Sequence, residues 1–213
     1  MCFLKFCAFT HNSVIIATKC AKMNSSGNSF RPKRIMICGA SGSGKSTLAA
    51  RLGQALSLPV IHGDKFFFDP GWVQRPPEVS NALFDEAAMQ ENWIIDGNNS
   101  RTIDTRAQRA ELIIYLELGR VRRLRRTLWR TLRGYGRTRP DMAPGCPEQL
   151  DLGFQFDWVW GFDRNSGPKM EAFLARWADR RPILRLHGGA AARRFAADPW
   201  PVLAAIDPAR TRG

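Results

Sequence analysis

The sequence lacks any apolar run that approaches the roughly 20 residues a membrane-spanning helix needs. Its five cysteines are odd in number and include no C-x-x-C pair, so they do not form a recognisable zinc or redox motif. Such cysteines are typical of a reducing compartment, and we expect a cytoplasmic protein without a membrane partner. A hydrophobic content of 44% in 213 residues is sufficient for one folded domain with a substantial core.

Acidic residues are scarce: 19 Asp and Glu stand against 32 Lys and Arg, which gives a net charge of +13. This excess favours an anionic partner, although the distribution of the charge matters more than its size. Residues 1–33 contain no acid and end in a shift of composition at "NSSGNSFRPK". We interpret 1–33 as a flexible N-terminal extension or the product of a start codon assigned too early, and 34–213 as the domain.

The stretch "RIMICGASGSGKSTLAARLGQAL" begins at Arg34 and combines three patterns. The segment "RIMIC" predicts a strand buried on both faces. The following glycines cannot continue a strand, because glycine costs backbone entropy inside a regular element. From Ser46 onward leucines recur at i, i+4 and i+8, which predicts a helix. Gly39–Ser46 therefore fits G-x-x-x-x-G-K-[ST], the phosphate-binding loop, in the strand-to-helix context that this motif requires.

The loop predicts binding of ATP with Mg²⁺. Its glycines let backbone N–H groups converge on phosphate oxygens at a helix N-terminus, whose dipole adds positive potential. Lys45 can place its charge on the β- and γ-phosphates, and the Ser46 hydroxyl can ligate magnesium. The alternative is an ordinary glycine-rich turn. The residues expected to bind the nucleotide are Gly39, Ser41, Gly42, Ser43, Gly44, Lys45, Ser46 and Thr47.

Strand and helix patterns alternate after the loop. Strands are predicted in "LPVIHGD" (58–64), "WIIDG" (93–97), "ELIIYLEL" (111–118) and "PILRLHG" (182–188), with helical patterns between them. The alternation predicts an α/β fold, in which a parallel sheet carries helices on both faces. In the helix predicted over 119–133, one stripe holds Val121, Leu124, Leu128 and Leu132.

Two aspartates stand at predicted strand ends, where a parallel sheet forms its ligand crevice. Asp96 could hold magnesium directly or through water, or could be a turn residue before glycine; Glu117 is the competing acid. Asp64 could orient a hydroxyl that attacks the γ-phosphate and accept its proton, or could merely cap a turn.

Aromatic residues follow Asp64 in "KFFFDPGW". Four of them could form the wall of an acceptor pocket, or they could belong to the core. These residues are Phe66, Phe67, Phe68 and Trp72.

Nine arginines and no acid lie between positions 120 and 139. A solvated basic face is the usual explanation for such a run. Some of these arginines, however, share one helical face that leads to a Gly- and Pro-rich loop at about 134–151. We interpret this loop as a lid that closes over ATP and brings guanidinium groups to the transferring phosphoryl group. The patch could also bind nucleic-acid phosphates, although no nucleic-acid-binding motif accompanies it. The four arginines assigned to the lid are Arg126, Arg130, Arg137 and Arg139.

The phosphate loop, "HGDKFFFDPGW", "WIIDGN", the arginine-rich helix and "GRTRPDMAPGCPE" together resemble the DNA topology modulation proteins, a family of adenylate-kinase-related P-loop proteins. The resemblance implies a nucleoside and nucleotide kinase fold, with five parallel strands in the order 2-3-1-4-5. It places Ser46 and Asp96 near magnesium. It also implies an acceptor side with Asp64, Trp72, Asp96 and, from "TIDTR", Arg106 as a ligand of an acceptor phosphate.

The sequence departs from true adenylate kinases at two places. "DGNNSR" stands where they carry D-G-F-P-R, and "HGDKFF" stands where they carry T-G-D-x-x-R. The second departure resembles small-molecule kinases, whose aspartate faces a hydroxyl. We therefore expect a kinase that transfers the γ-phosphoryl of ATP to a nucleotide, nucleoside or small hydroxyl acceptor. The alternative is an ATP-binding regulator associated with DNA topology. The expected catalytic residues are Lys45, Asp64, Arg126, Arg130, Arg137 and Arg139.

Overall fold

A computed structural model of the chain describes residues 14–17 and 30–206. Its strands are β1 (Val14–Ala17), β2 (Arg34–Gly39), β3 (Val60–His62), β4 (Phe68–Asp69), β5 (Val73–Gln74), β6 (Trp93–Asp96), β7 (Leu112–Glu117) and β8 (Ile183–His187). Its α-helices are α1 (Lys45–Leu56), α2 (Pro77–Met89), α3 (Ile103–Arg109), α4 (Arg120–Gly134), α5 (Phe162–Asn165), α6 (Gly167–Trp177), α7 (Gly188–Ala197) and α8 (Trp200–Ile206). A 3₁₀ turn at Gly63–Phe66 and a π-helix at Phe154–Trp160 complete the regular structure of the described residues.

The main sheet has the strand order β1-β8-β7-β2-β6-β3. The phosphate-loop strand β2 lies at its centre and pairs in parallel with β6 and β7; Ile35, for example, is opposite Ile94 on one side and Leu112 on the other. The five parallel strands, numbered from β2 along the chain, have the order 2-3-1-4-5, so the predicted fold is confirmed. Strand β1 adds an antiparallel edge against β8, with Val14 opposite Leu186.

Successive residues of β2 point to opposite faces of the sheet and build two cores. Ile35 and Ile37 pack in a core that includes residues of α1, α7 and α8, whereas Met36 and Cys38 pack in one that includes residues of α2, α3 and α6. Each fully buried side chain of this size stabilises the fold by about 1.5–3 kcal/mol. The helices on both faces thus fix the carboxyl end of β2, from which the phosphate loop starts.

Helix α4 packs through a face that its leucine stripe does not predict. Its buried residues are Arg123, Thr127 and Thr131, while Val121 and Leu132 are 58% and 63% exposed. Arg123 can be buried because its guanidinium donates to the carbonyl oxygens of Leu118 and Val159, at 2.8 and 3.1 Å, and pairs with Asp163 at 2.9 Å. A polar helix face therefore meets the phosphate loop.

The loop predicted as a lid, residues 134–151, is called here the arginine loop. It closes on itself, since Gly136 N–H donates to the Glu148 carbonyl and Glu148 N–H donates to the Arg137 carbonyl, both at 3.0 Å. Met142, Ala143 and Cys146 form a small apolar cluster beneath it. The loop is thus irregular in backbone but has a core of its own.

The domain boundary proposed at residue 34 stays a prediction, because most of residues 1–33 lie outside the described part of the chain. No helix among the described residues has the length and apolar character needed to span a membrane.

Candidate active site

The phosphate loop has the geometry that the sequence predicts. It connects β2 directly to the N-terminus of α1. At Gly42 the backbone φ is +77°, and a Cβ there would lie 2.7 Å from Thr127 Cγ2 and 2.9 Å from the Arg123 carbonyl oxygen. Only glycine fits this position, because both the conformation and the approach of α4 exclude a side chain. Ser43 is buried in the loop, and its hydroxyl has no hydrogen-bond partner in the part of the chain that the structure describes.

Lys45 lies across the loop. Its Nζ donates to the Ala40 carbonyl oxygen at 3.0 Å. Burial lowers the pKa of Lys45, while the carboxylates of Asp64 and Asp96 oppose that shift. The ammonium group therefore contacts the Ala40 carbonyl oxygen and lies within the electrostatic influence of two acidic side chains.

Asn98 is a residue of this site that the sequence reasoning missed. Its Nδ2 donates to the Gly39 carbonyl at 2.6 Å, and the Gly39 N–H donates to Asn98 Oδ1 at 3.2 Å. The segment after β6 is thereby joined to the first residue of the phosphate loop. The only signal in the sequence was its place shortly after a strand end.

Asp96 is buried at the end of β6, with 2% of its surface exposed. Its Oδ1 lies 3.1 Å from His62 Nδ1 at the end of β3, and this hydrogen bond raises the pKa of His62. His62 was also missed from the sequence. The structure brings Asp96 and Lys45 close enough for their charges to interact, as a magnesium carboxylate near the triphosphate requires.

The competing acid, Glu117, is engaged elsewhere. Its carboxylate accepts a hydrogen bond from Arg185 Nη1 at 2.9 Å and pairs with His187 Nδ1 at 2.5 Å. Glu117 and His187 line a separate cavity of about 670 Å³ beside Ala40. Of the two acids considered for the metal, Asp96 is thus the one placed beside Lys45.

A cavity of about 480 Å³ opens above the phosphate loop. Asp64 enters it from the 3₁₀ turn after β3. The side chain is exposed to solvent at the wall of this concave site, where desolvation by the surrounding protein raises its pKa and Lys45 opposes the shift. A carboxylate with a raised pKa is a better proton acceptor. Besides Asp64, the lining includes Ser41, Gly42, Gly44, Lys45, Ser46, Thr47, His62, Arg126, Trp129, Arg130, Arg139 and Asp141.

Three of the four predicted lid arginines line this cavity. Arg126 Nη1 donates to the Ser43 carbonyl oxygen at 3.2 Å, which places its guanidinium beside the phosphate loop. Arg130 and Arg139 both form ion pairs with Glu148, in the arginine loop. Arg137 is exposed and does not line the cavity.

Asp141 also faces the cavity and was not singled out from the sequence. Its Oδ2 lies 2.9 Å from Arg139 Nη1. Burial would raise the pKa of Asp141, but the Arg139 guanidinium and a hydrogen bond with the Ser46 hydroxyl lower it. The arginine loop therefore reaches the hydroxyl that the motif assigns to magnesium.

The structure does not bring Trp72 and Arg106 into the cavity. Trp72 Nε1 donates to the Pro147 carbonyl at 2.9 Å, and its ring packs on Phe68, so it fastens the arginine loop to the loop after β3. Phe66 and Phe67 pack against Phe84, as core residues do.

Arg106 is fully buried in α3. Its Nη1 and Nη2 donate to the Gly97 and Asn99 carbonyl oxygens at 2.9 and 2.8 Å. Burial lowers the pKa of Arg106 to about 10. In this position it shapes the backbone after β6, and its contact with an acceptor phosphate stays a prediction.

The oxygen donors around the loop fit magnesium bound largely by a nucleotide. Among the described residues, no group of three or more His, Cys, Asp or Glu side chains could hold a metal ion alone. Magnesium usually takes one or two protein oxygens, with phosphates and water as its other ligands. A serine hydroxyl and one or two carboxylates meet that need, and Ser46, Asp96 and Asp141 are the residues that would supply them.

The strand order and the loop position allow comparison with known proteins. A shikimate kinase from Acinetobacter baumannii, solved in complex with shikimate, matches 81% of this chain and 93% of its own, with a TM-score of 0.51 and 16% identity. A shikimate kinase from Bacteroides thetaiotaomicron matches 81% and 98%, with a TM-score of 0.52 and 18% identity. A gluconokinase from Sinorhizobium meliloti matches 84% and 96%, with a TM-score of 0.51 and 16% identity.

The chain therefore shares the fold of these kinases, a five-stranded parallel sheet with a phosphate loop and flanking helices. The similarities agree with the fold that the resemblance implies and do not support its DNA topology part. No family model matches the chain, and no curated protein matches it.

Proposed function

We propose that the protein is a Mg-ATP-dependent phosphotransferase that moves the γ-phosphoryl group of ATP to a hydroxyl group of a small acceptor. One observation carries this proposal. A single cavity above the phosphate loop is lined by Lys45, by the Asp64 carboxylate and by three guanidinium groups. Phosphoryl transfer needs positive charge around the transferring group and an oriented acceptor hydroxyl, and these residues supply both.

The phosphate loop would hold the triphosphate. Backbone N–H groups at the start of α1 bind phosphate oxygens, and the Lys45 ammonium exchanges its contact with the Ala40 carbonyl for the β- and γ-phosphates. Arg126, Arg130 and Arg139 spread positive charge over the equatorial oxygens of the transferring group. The arginine loop excludes water from it.

Magnesium supplies charge neutralisation between the β- and γ-phosphates when it is bound. Ser46 would hold it through the hydroxyl and Asp96 through the carboxylate, directly or through water. His62 keeps the buried Asp96 oriented through the contact of 3.1 Å between Nδ1 and Oδ1.

Asp64 would orient the acceptor hydroxyl and take its proton. Two observations favour a small hydroxyl compound over a nucleotide as acceptor. Arg106, the residue expected to bind an acceptor phosphate, donates its hydrogen bonds to backbone carbonyl groups away from the cavity. In addition, the similar structures are named as kinases of small hydroxylated molecules, one of them in complex with shikimate.

The testing experiment measures ADP formation from Mg-ATP, first alone and then with a panel of nucleoside monophosphates, nucleosides and small hydroxyl compounds. We expect one small hydroxyl compound to stimulate turnover strongly. Asp64→Asn should then lower kcat by about 100-fold or more while ATP affinity stays near that of the wild type. Asp157→Asn, at an exposed position away from the cavity, is the matched control.

One outcome would overturn the phosphotransferase proposal, and a second would overturn the role of Asp64 alone. Slow turnover that no acceptor stimulates, but that DNA raises, would indicate the regulator considered from the sequence. Full turnover of Asp64→Asn with the stimulating acceptor would show that Asp64 does not take the proton.

A further inference from the structure

Glu148 is the last residue of the segment "GCPE" in the arginine loop. It lies beside Arg130 and Arg139, two of the three arginines that line the cavity. Only 6% of its surface is exposed. Its backbone is fixed on both sides, because its N–H donates to the Arg137 carbonyl and its own carbonyl accepts from Gly136 N–H. The backbone from which the Glu148 side chain extends is therefore fixed in position.

The Glu148 carboxylate is shared among three neighbours. Its Oε1 pairs with Nε of Arg139 and, at 3.4 Å, with Nε of Arg130. Its Oε2 accepts a hydrogen bond from the Thr131 hydroxyl at 2.8 Å. Thr131 is itself buried in α4, so the helix, the loop and both guanidinium groups meet at one carboxylate.

The two guanidinium groups repel each other, and the Glu148 carboxylate, which pairs with both, opposes this repulsion. Burial lowers the pKa of Arg130, the Arg139 charge lowers it further, and the Glu148 charge opposes both effects. Each arginine also has about 2 kcal/mol of rotamer entropy to gain by leaving the site. The buried Glu148 charge, together with those of Asp141 and Asp64, thus opposes the effects that would turn Arg130 toward solvent.

The ion pair with Glu148 leaves the terminal N–H donors of Arg130 available to a ligand. Glu148 Oε1 forms an ion pair with Arg130 at Nε, which has no hydrogen-bond partner among the described residues, so this carboxylate does not occupy the terminal nitrogens of Arg130, which carry four of the five N–H donors. Arg139 Nη1 is paired with Asp141, which also faces the cavity. Glu148 therefore holds Arg130 at the inner side of its guanidinium, whereas Arg139 is held at its terminal nitrogens as well, by Asp141 and by Met142 Sδ.

We propose that Glu148 is a positioning residue, which holds Arg130 and Arg139 in the place where they stabilise the transferring phosphoryl group. The inference rests on the proposed phosphotransferase function. Glu148 does not touch the reacting atoms. Its effect should therefore be largest in the transition state, where charge spreads onto the equatorial oxygens, and small in the binding of ADP.

The experiment compares wild type, Glu148→Gln and Glu148→Asp in two binding titrations and in turnover. The probes are Mg-ADP alone and Mg-ADP with aluminium fluoride, a mimic of the transferring phosphoryl group. We expect Glu148→Gln to bind Mg-ADP within about twofold of wild type but to lose tenfold or more in affinity for the aluminium fluoride complex. Its kcat should fall by a similar factor while the KM for ATP stays within about threefold. Glu148→Asp, which keeps the charge, should recover part of both losses.

A double-mutant cycle separates positioning from folding. In an Arg130→Gln, Arg139→Gln background, Glu148→Gln should have no further effect on the affinity for the aluminium fluoride complex. Glu78→Gln, at an exposed position in α2, controls for the loss of one negative charge. If any Glu148 variant fails to fold, the Arg130→Gln, Arg139→Gln protein alone must reproduce the tenfold loss, or the inference is wrong.

The two proposals fail in different ways. A wild-type protein that binds neither probe would overturn the phosphotransferase proposal and this inference with it. A wild-type protein that binds both, with Glu148→Gln binding the aluminium fluoride complex equally well, would overturn the positioning role alone. An equal loss from Glu148→Gln with and without the two arginines would also overturn it, because the effect would then not act through them.

Discussion

The Asn98 carboxamide hydrogen bonds with both backbone polar groups of Gly39. Nδ2 donates to the Gly39 carbonyl at 2.6 Å, and the Gly39 N–H donates to Oδ1 at 3.2 Å. A side chain that satisfies both groups takes the place of the next rung of a parallel sheet at the point where the sheet stops. The phosphate loop therefore begins from a fixed backbone position.

Asn98→Ala should weaken both folding and nucleotide binding. The substitution leaves the Gly39 N–H and carbonyl without partners, which should lower the free energy of unfolding by about 2 kcal/mol. Affinity for ADP should fall about tenfold, as expected for a loss of roughly 1.4 kcal/mol of binding free energy. Urea unfolding and an ADP titration measure the two effects. Asn92→Ala, at an exposed position before β6, should change neither; equal behaviour of the two variants would contradict the role of Asn98.

Gly42→Ala and Gly71→Ala form a matched pair. Both glycines have a left-handed backbone, with φ of +77° and +81°, so each substitution should cost about 1 kcal/mol of strain. A Cβ at Gly71 meets no atom within 4 Å, whereas one at Gly42 lies 2.7 Å from Thr127. Gly42→Ala should therefore lose an additional 1–3 kcal/mol or so of unfolding free energy, because α4 must move away from the loop. Urea unfolding of the two variants tests this difference, and identical midpoints would show that α4 does not press on the loop.

Arg106→Lys should destabilise the protein rather than selectively weaken acceptor binding. The guanidinium is fully buried and serves three backbone carbonyls, those of Gly97, Asn99 and Thr102. An ammonium group cannot reach all three, so the free energy of unfolding should fall by about 3 kcal/mol. Arg101→Lys, at an exposed neighbouring position, is the control. A stable Arg106→Lys protein with a raised KM for the acceptor alone would instead support the acceptor contact predicted from the sequence.

Cys38 should make stability depend on pH in the alkaline range. Burial raises the pKa of this thiol from 9.0 to about 11. The folded state therefore keeps its proton where the unfolded chain has already lost it. The stabilising contribution is complete below pH 9 and is lost as the pH rises to 11, with a total of about 2–3 kcal/mol. Urea unfolding between pH 8 and 11 should show this loss in wild type. Cys38→Ala should lack that component, and parallel pH profiles of the two proteins would contradict the assignment.

The phosphate loop could be predicted because its information is local. Eight consecutive residues, Gly39–Ser46, determine both the bend and its chemistry, and the flanking strand and helix patterns supply the context. The sheet order came from the resemblance, whereas the alternation of strands and helices predicted only a parallel sheet with helices on both faces.

The partners of the loop could not be predicted, because they are far away in the sequence. Asn98 meets Gly39 across 59 residues, and Asp141 reaches Ser46 only once the arginine loop has folded. No spacing rule connects such residues. The pair formed by His62 and Asp96 depends in the same way on β3 lying beside β6.

The arginines show the limit of interpretation by charge. The run between positions 120 and 139 predicts either a solvated face or a group of phosphate ligands. Arg123 is neither solvated nor available to a phosphate, because its guanidinium is buried and bonds to two backbone carbonyl groups and to Asp163. Arg137 is exposed, and Arg126 contacts the loop. Sequence alone cannot separate these outcomes, because they depend on which carbonyl groups α4 meets after packing.

Three hydrogen bonds join the arginine loop to the loop after β3, and they couple the positions of the two loops. The Trp72 indole bonds to Pro147, Gly71 N–H donates to the Gly145 carbonyl at 2.8 Å, and Cys146 Sγ donates to the Asp69 carbonyl at 3.3 Å. The segment that follows Asp64 and the loop that carries Arg139 are thus joined at three points. A displacement of one segment would pull on the other, so we expect the Asp64 carboxylate and the Arg139 guanidinium to approach or leave the cleft together.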